Sequence, residues 1–238
     1  RAIFVNGIQS GPLAGDLAYQ LEGKEKSIAT ALKALKLMTE GTVYVSHDAD
    51  HAPIEALQSL DATHITFSGK HPKGLVGTQI AQTAPLNKGE IVWTVNAIDL
   101  PTIGAAFETG EYRPEYRVAV AGSKVMNSGY AIALQGVSLA QFISANVNTD
   151  NTRVIAGDVL TGSKIENDGF LTFGQSQLTA IPEGNTTEFF GWVLPGFGKF
   201  STNRAFWGWL FPNREYDLDT NMHGEERAFV VTGEYEKF

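Results

Sequence analysis

The chain has 238 residues, 43% of them apolar and 18% charged, which is typical of a globular protein with one large or two medium domains. Its net charge of −8 argues against nucleic acid as a partner. Cysteine is absent, which excludes disulfides, zinc–thiolate sites and cysteine-held iron–sulfur clusters. No apolar run approaches the roughly 20 residues that a membrane-spanning helix needs.

The first 112 residues alternate between short β-rich runs and amphipathic segments. Strands are predicted over residues 2–6, 42–46, 64–67 and 91–95, and helices over residues 25–39, 53–60 and 99–107. Asp99 is expected to cap the last of these helices. Strand–helix alternation at this spacing implies right-handed crossovers, so the segment predicts an α/β domain with a parallel sheet covered on both faces.

The pattern changes near Arg113–Pro114, where we place a domain boundary. Strands are predicted over residues 117–122, 130–134, 153–156 and 170–173, and one short helix, capped by Ser138, over residues 139–143. Strands that surround a single helix predict a β-grasp-like α+β domain over residues 113–178. Residues 179–238 are expected to be irregular and to return the chain toward a missing C-terminal region.

A glycine-rich loop runs from Phe67 to Thr78 and carries Lys70, His71 and Lys73 between its glycines. Glycine permits close approach of a backbone, and the cationic residues favour an anionic partner. The loop is either a site for an anionic or quinone-like ligand, a docking surface, or an ordinary connection from strand to helix. It matches neither the phosphate-binding loop nor the dinucleotide fingerprint.

Two histidines and two aspartates occupy the five residues His47–His51. Imidazole and carboxylate groups can hold a divalent cation, but five consecutive residues rarely direct all their side chains inward. We therefore interpret the segment as a solvated loop that precedes a helix, and expect no metal site. No nucleophile elbow or acid–base pair is recognisable, so no catalytic residue is predicted.

The order of motifs along the chain nevertheless resembles the NqrA family, one of the subunits of the bacterial Na+-translocating NADH:quinone oxidoreductase. The matching pieces include Ile3-Phe-Val-Asn-Gly-Ile8, Phe67-Ser-Gly-x-His-Pro-x-Gly-Leu-Val-Gly-Thr78, Arg117-Val-Ala-x-Ala-Gly122 and Ile181-Pro-Glu-Gly184, and extend to residues 221–228. They cover nearly the whole chain in the order found in the family. Since the family's chain continues beyond both ends of this one, we expect a fragment that lacks both ends.

The resemblance implies a Rossmann-like domain followed by a β-grasp domain of the soluble-ligand-binding (SLBB) type. It also implies a peripheral subunit on the cytoplasmic side of the bacterial inner membrane. Its partners would be the membrane-embedded and other subunits of a pump that passes electrons from NADH through flavins and iron–sulfur centres to quinone, and that exports Na+. The resemblance further implies that this subunit holds none of the firmly bound redox centres, serves in assembly and lies near the site of quinone binding.

Gln9 and Gly11 stand where the flavin-binding relatives of this family carry acidic residues, which argues against flavin or NADH chemistry in this chain. If quinone contact exists, we expect it around a small set of residues that follow two strands of the first sheet: Asn6, Ser68, Gly69, His71 and Lys73. Two other functions remain open, namely a flavin- or nucleotide-binding dehydrogenase module and a free-standing module that binds a small molecule.

Overall fold

A computed structural model describes residues 2–185, 189–191, 193–199, 204 and 206–215 of the chain. The motif at residues 221–228 lies outside this part. The first sheet contains β1 (Ala2–Asn6), β2 (Val43–Asp48), β3 (Thr63–Phe67) and β4 (Val92–Asn96). All its strands are parallel and follow the spatial order β3-β2-β1-β4. This confirms the predicted α/β domain with a parallel sheet.

Five helices connect or follow these strands: α1 (Leu17–Leu21), α2 (Glu25–Leu37), α3 (Glu55–Gln58), α4 (Val76–Thr83) and α5 (Leu100–Thr109). Helix α2 buries Ile28, Ala31, Leu32 and Leu35, whose spacing places them on one face of the helix. Helix α5 ends at Gly110, where φ of 74° requires the left-handed conformation that glycine adopts without strain. Helices α1 and α4 were not among the helices predicted from the sequence.

Asp99 does not cap α5 with its side chain, contrary to the prediction. Its carboxylate instead accepts a hydrogen bond of 2.8 Å from the Tyr116 hydroxyl, which belongs to the first strand of the next sheet. Burial raises the pKa of the Asp99 carboxyl, and burial together with the nearby Asp99 raises the pKa of the Tyr116 phenol. The residue therefore joins two domains.

The second sheet contains β5 (Glu115–Ala121), β6 (Gly129–Leu134), β7 (Thr152–Ala156), β8 (Ser163–Ile165) and β9 (Gln177–Pro182) in the order β6-β5-β9-β7-β8. Strands β5 and β6 form an antiparallel hairpin, whereas β9 pairs parallel to β5 and antiparallel to β7. Helix α6 (Ala140–Asn146) lies between β6 and β7 in the chain. This mixed sheet with one helix confirms the predicted β-grasp-like α+β class.

Two local predictions for this domain are wrong. The predicted strand at residues 170–173 is absent; Phe170 makes only an isolated bridge to Ser138. Ser138 is also not the cap of α6, which begins after Leu139. Conversely, β9 crosses residue 178 into a segment expected to be irregular. It is buried from Gln177 to Ile181 and pairs on both sides, so it forms the centre of the sheet.

One hydrophobic cluster includes buried side chains of both sheets, for example Ile3 and Val45 from the first and Val118 and Ala180 from the second. The two sheets therefore share a continuous apolar interior. No helix among the residues described is both long enough and apolar enough to cross a bilayer.

Candidate functional site

The order in which strands are added to the first sheet reverses at β1: β2 and β3 lie on one side of it and β4 on the other. Strands β1 and β4 end at Asn6 and Asn96, which are partners in the register. In open α/β sheets, ligands bind beyond the carboxyl ends of the strands at such a reversal. A cavity of about 280 Å³ opens here, which we call the switch-point cavity. Its wall is formed by the end of β1 and the segment that follows it (Asn6, residues 8–11, Ala14 and Leu17), by the glycine-rich loop (His71 and residues 74–76), by residues 96–98 at the end of β4 and, in the β-grasp domain, by Asp158, Thr161 and residues 174–177.

Gly11 allows the β-grasp domain to pack closely against the loop after β1. A Cβ atom at this position would lie 2.7 Å from the carboxyl carbon of Asp158. That carboxylate is fixed by the backbone N–H groups of Leu160 and Thr161 and by the Thr161 hydroxyl. An acidic side chain at position 11 would therefore clash with Asp158 and place a second negative charge beside it.

Asn6 lines the switch-point cavity, but its side-chain amide makes its hydrogen bonds within the protein. Its Nδ2 donates to the Gly74 carbonyl at 2.9 Å. Its Oδ1 accepts from Gln79 Nε2 at 2.9 Å and from the Ile8 backbone at 3.2 Å. Asn6 thus ties the end of β1 to the glycine-rich loop and fixes the floor of the cavity.

His71 also lines the cavity and retains a free donor. The Ser10 hydroxyl oxygen accepts from Gly74 N at 2.9 Å and lies 3.0 Å from His71 Nδ1. The hydroxyl proton can then be donated to His71 Nδ1, which places the proton of the neutral imidazole on Nε2. That Nε2–H has no hydrogen-bond partner in the part of the protein that the structure describes, so it can donate to a ligand.

Ser68, Gly69 and Lys73 lie outside the wall of the switch-point cavity. Ser68 and Gly69 are exposed, and the Gly69 N–H donates to Asp50 Oδ2 at 2.7 Å. Of the residues that the sequence analysis grouped together, the structure brings only Asn6 and His71 to the cavity.

Lys73 is only 8% exposed and is paired with two carboxylates. Its Nζ lies 2.6 Å from Asp48 Oδ1 and 2.7 Å from Asp50 Oδ2. Burial alone would lower the pKa of Lys73, but the hydrogen bonds to both aspartates outweigh it and raise the pKa. The lysine charge is therefore neutralised within the protein.

The segment His47–His51 supplies these two aspartates. Burial would raise the pKa of Asp48, but hydrogen bonds from Lys73, the Asp50 backbone and His51 hold the pKa below its usual range. No three His, Cys, Asp or Glu side chains are grouped for a metal ion within the described portion of the chain. The aspartates hold Lys73 and so join the loops after β2 and β3.

A second cavity, of about 430 Å³, lies between the loop after β1 and the loop after β2. We call it the histidine cavity, because His47 and His51 line it. His47 is 8% exposed, and its Nε2 lies 2.7 Å from His64 Nδ1. Burial, and then the neighbouring His64, lower the pKa of His47. Sequence reasoning missed this pair, because the two residues lie on different strands and only the register of β2 and β3 brings them together.

Neither cavity has a lysine or arginine in its wall. Proteins that bind nucleotides hold the phosphates with cationic side chains or with the N-terminus of a long helix. The helices whose first residues line these cavities are short: α1 has five residues, and α4, which begins at Val76 in the wall of the switch-point cavity, has eight. The chemistry of both walls thus suits an uncharged ligand better than a phosphorylated one.

Comparison with known families supports the resemblance found in the sequence. The model described as "NqrA second alpha/beta domain" matches residues 1–112, and the one described as "NQRA C-terminal domain", which is an SLBB model, matches residues 117–167. Together these matches cover more than half of the chain. The chain belongs to the NqrA family.

Relatives in this family are similar over the whole chain. The NqrA subunit of the Na(+)-translocating NADH-quinone reductase of Yersinia pestis bv. Antiqua is 34% identical over 238 residues, and that of Vibrio atlanticus is 33% identical over the same length. The protein of Shewanella frigidimarina is 35% identical over 236 residues. The alignments cover 99–100% of this chain but only 52–53% of these proteins, so the chain spans about half the length of the curated relatives it matches.

Two solved structures share the fold. They are an NAD+-reducing [NiFe]-hydrogenase in its H2-reduced and air-oxidised states, with TM-scores of 0.52 and 0.50. The superpositions cover 76% of this chain and 40% of the hydrogenase chain, at 11% and 12% identity. At this level of identity the likeness concerns the fold alone.

Proposed function

We propose that this NqrA-family chain is part of one subunit of a redox-driven sodium pump that transfers electrons from NADH to quinone. The observation that carries the proposal is the identity of about one third, over all 238 residues, to proteins named as this subunit of the Na(+)-translocating NADH-quinone reductase. The chain would act in the assembly through contacts with the membrane-embedded and other subunits. NADH is a cytoplasmic reductant, so we assign the chain to the cytoplasmic side of the bacterial inner membrane, as a peripheral component.

We further propose that the chain binds no flavin, NADH or iron–sulfur centre of its own and that these belong to other subunits. The walls of both cavities support this, because they offer no cation to a phosphate. Gly11 and Asp158 add support: an acidic residue at position 11, where the flavin-binding relatives carry one, does not fit beside the β-grasp domain.

Contact with quinone is proposed at the switch-point cavity. A quinone carbonyl oxygen accepts hydrogen bonds, and the Nε2–H of a neutral His71 is a free donor in the wall. Asn6 would shape the floor of the cavity through its bonds to Gly74 and Gln79. Ser68, Gly69 and Lys73 would contribute only indirectly, by holding the loop.

The quinone proposal is tested by His71→Ala in the complete protein, after assembly with its partner subunits. Loss of one hydrogen bond to the quinone should raise the KM for quinone roughly tenfold, with less effect on the KM for NADH. Lys70→Ala is the matched control, because Lys70 is exposed in the same loop and does not line the cavity. An unchanged KM for quinone in His71→Ala would refute the contact.

The proposal that the chain has no cofactor of its own is tested on the purified chain. Titration with FMN and with NADH, followed by absorbance and calorimetry, should show no saturable binding in the micromolar range. Tight binding of FMN would instead identify a dehydrogenase module, and the chain would then carry redox chemistry itself.

A further inference from the structure

Strand β6 forms one edge of the second sheet and pairs with β5 on its inner side. The Gln135 N–H donates to the Pro114 carbonyl oxygen at 3.0 Å, which extends the antiparallel register of the two strands by one hydrogen-bonded pair. Hydrogen-bonded pairs alternate along such a ladder, so every second residue of β6 directs its N–H and C=O groups away from β5. Counting back from Gln135, these outward residues are Leu134, Ile132 and Tyr130.

The outward backbone groups of β6 are largely unpaired. The Leu134 carbonyl oxygen accepts from Val137 N at 3.2 Å, but within the described part of the chain no hydrogen bond engages the N–H groups of Tyr130, Ile132 and Leu134. At the opposite edge of the sheet, β8 has only three residues, and one of them is Lys164. Short length and charge are devices that prevent unwanted pairing at an edge. Strand β6 has six residues and neither charge nor proline, so its edge is open to another strand.

An apolar cavity of about 330 Å³ opens beside this edge, between β6 and α6. Among the described residues of its wall, Ser138 alone is polar. The residues of β6 that alternate with the outward ones are Ala131 and Ala133, whose small side chains leave the space between the strand and Phe142 of α6 unfilled. Apolar side chains that entered the cavity would gain burial and dispersion contacts.

An added strand would satisfy the open edge and the cavity together. Its backbone would pair with the outward groups of β6, and every second side chain would lie on the same face as Ala131 and Ala133, over the cavity. A second copy of this chain fits less well. Antiparallel pairing of β6 with itself keeps the faces of the sheet aligned, so the copy would bring only its own alanines to that face. The cavity therefore fits a strand with larger apolar side chains than β6 has.

We propose that the free edge of β6 binds an extended segment of a partner subunit by strand addition, with apolar side chains of that segment in the cavity beside α6. The inference rests on the proposed function, in which the chain acts through contacts with other subunits. On the other face of β6, Ile132 is 71% and Leu134 53% exposed. The alternate side chains of the added segment would cover these two residues, so the segment has the length of an ordinary strand and is apolar at every second position.

Hydrogen exchange in the complete protein tests the pairing directly. In the free subunit the N–H groups of Tyr130, Ile132 and Leu134 should exchange rapidly, whereas β5 protects those of Ala131 and Ala133. After assembly with the partner subunits, the three outward groups should gain at least about 100-fold in protection. Unchanged exchange in the assembled complex would overturn the proposal. Protection that rises with the concentration of the free subunit would also overturn it, in favour of a second copy.

Ile132→Pro removes one outward donor. Since the Ile132 N–H does not face β5, proline should leave the pairing of β5 and β6 intact, as it does on the open side of other edge strands. We expect at least about a tenfold loss of affinity for the partner subunits. Ile132→Thr is the matched control, because it removes the exposed aliphatic side chain and keeps the N–H, and its effect should be less than about threefold. Equal losses in the two variants would refute strand addition.

Ala131→Leu tests the cavity. A leucine at this position should occupy the space that the partner's side chain needs, so assembly should weaken about tenfold while the Tm of the free subunit does not fall. Ala131→Ser, which stays small, is the control and should assemble like the wild-type protein. Normal assembly of a stable Ala131→Leu subunit would show that the cavity receives no partner side chain, contrary to the proposal.

Failure of this proposal is distinguishable from failure of the proposed function. A complex that assembles while the outward amides stay unprotected would refute strand addition alone. A chain that does not assemble would refute the proposed function, and a peptide of eight alternating leucine and threonine residues between terminal lysines would then decide the strand site. Binding of this peptide to the wild-type chain at least about tenfold more tightly than to Ile132→Pro would support the site. Equal or absent binding would refute it.

Discussion

Lys73 shows how a single residue can look like part of a binding site in the sequence and yet hold the structure together. Its side chain is 9% exposed, and its ammonium group lies between Asp48, at the end of β2, and Asp50. Burying one charge without partners is unfavourable, but a lysine between two carboxylates with short hydrogen bonds offsets its loss of hydration. The residue stabilises the loop on which His71 is carried.

Replacing Lys73 with methionine should therefore destabilise the protein. Met keeps most of the apolar volume but leaves Asp48 and Asp50 without their cation, so we expect a loss of about 2–4 kcal/mol in the free energy of unfolding. Urea denaturation measures it. Lys70→Met, in the same loop but exposed, should change stability by less than about 0.5 kcal/mol. Equal effects of the two substitutions would contradict the role given to the ion pairs.

At the scale of elements, the contact between α2 and α5 depends on the absence of a side chain at Gly104. A Cβ atom there would overlap the backbone carbonyl of Ser27. The two helices can approach this closely only because glycine is present, and side chains flanking the contact then pack against the sheet. The α2–α5 pair covers the face of the first sheet that includes Ile3 and Val45.

Gly104→Ala should force the helices apart and lower the free energy of unfolding by about 2–4 kcal/mol, because the overlap involves rigid backbone. Gly77→Ala is the matched control within α4, where a Cβ atom would meet nothing within 4 Å. That change should be neutral or stabilising by up to about 1 kcal/mol, since alanine favours the helix. Thermal unfolding of the two variants compares them directly, and a stable Gly104→Ala variant would disprove the packing argument.

The elements of the first domain were predictable because their signals are local. Strand β1 shows a short apolar run, and α2 shows apolar residues at helical spacing, so both are recognisable from neighbouring residues alone. Strand β9 was missed because its burial comes from β5 and β7, which are distant in the chain, and because Thr179 and Pro182 weaken the apolar pattern. Long-range pairing, not local preference, makes it a strand.

The same distinction applies to the candidate site. Placing Asn6 and His71 near each other follows from the rule that parallel strands end at one edge of a sheet. The orientation of each side chain in the glycine-rich loop does not follow from any local pattern. For this reason Ser68, Gly69 and Lys73 were predicted to lie with Asn6 and His71. The contribution of Asp158 could not be foreseen, since it depends on how the two domains pack.

At the scale of the whole molecule, the decisive contact joins the β-grasp domain to α1 and to the loop after β1. Gln20, on α1, is fully buried, and its Nε2 donates to the carbonyl oxygens of Arg117 at 2.8 Å and of Ser176 at 3.1 Å. Its Oε1 accepts from Gln9 Nε2 at 3.2 Å. One amide thus satisfies two carbonyl groups of the second domain and orients a residue that lines both cavities.

Gln20→Leu should uncouple the two domains. Leucine has a similar volume but leaves the Arg117 and Ser176 carbonyl groups without this donor, so we expect a loss of about 2–3 kcal/mol, mostly at the domain interface. In native-state hydrogen exchange, amides of β5 and β9 should lose more protection than those of β1 and β2.

Gln58→Leu is the control, because Gln58 is exposed on α3 and its replacement should leave the protection of all four strands unchanged. Because the wall of the switch-point cavity includes residues of both domains, Gln20→Leu should also weaken ligand binding in that cavity. A uniform loss of protection across both sheets would show instead that the molecule unfolds as one cooperative unit, with Gln20 as an ordinary core contact.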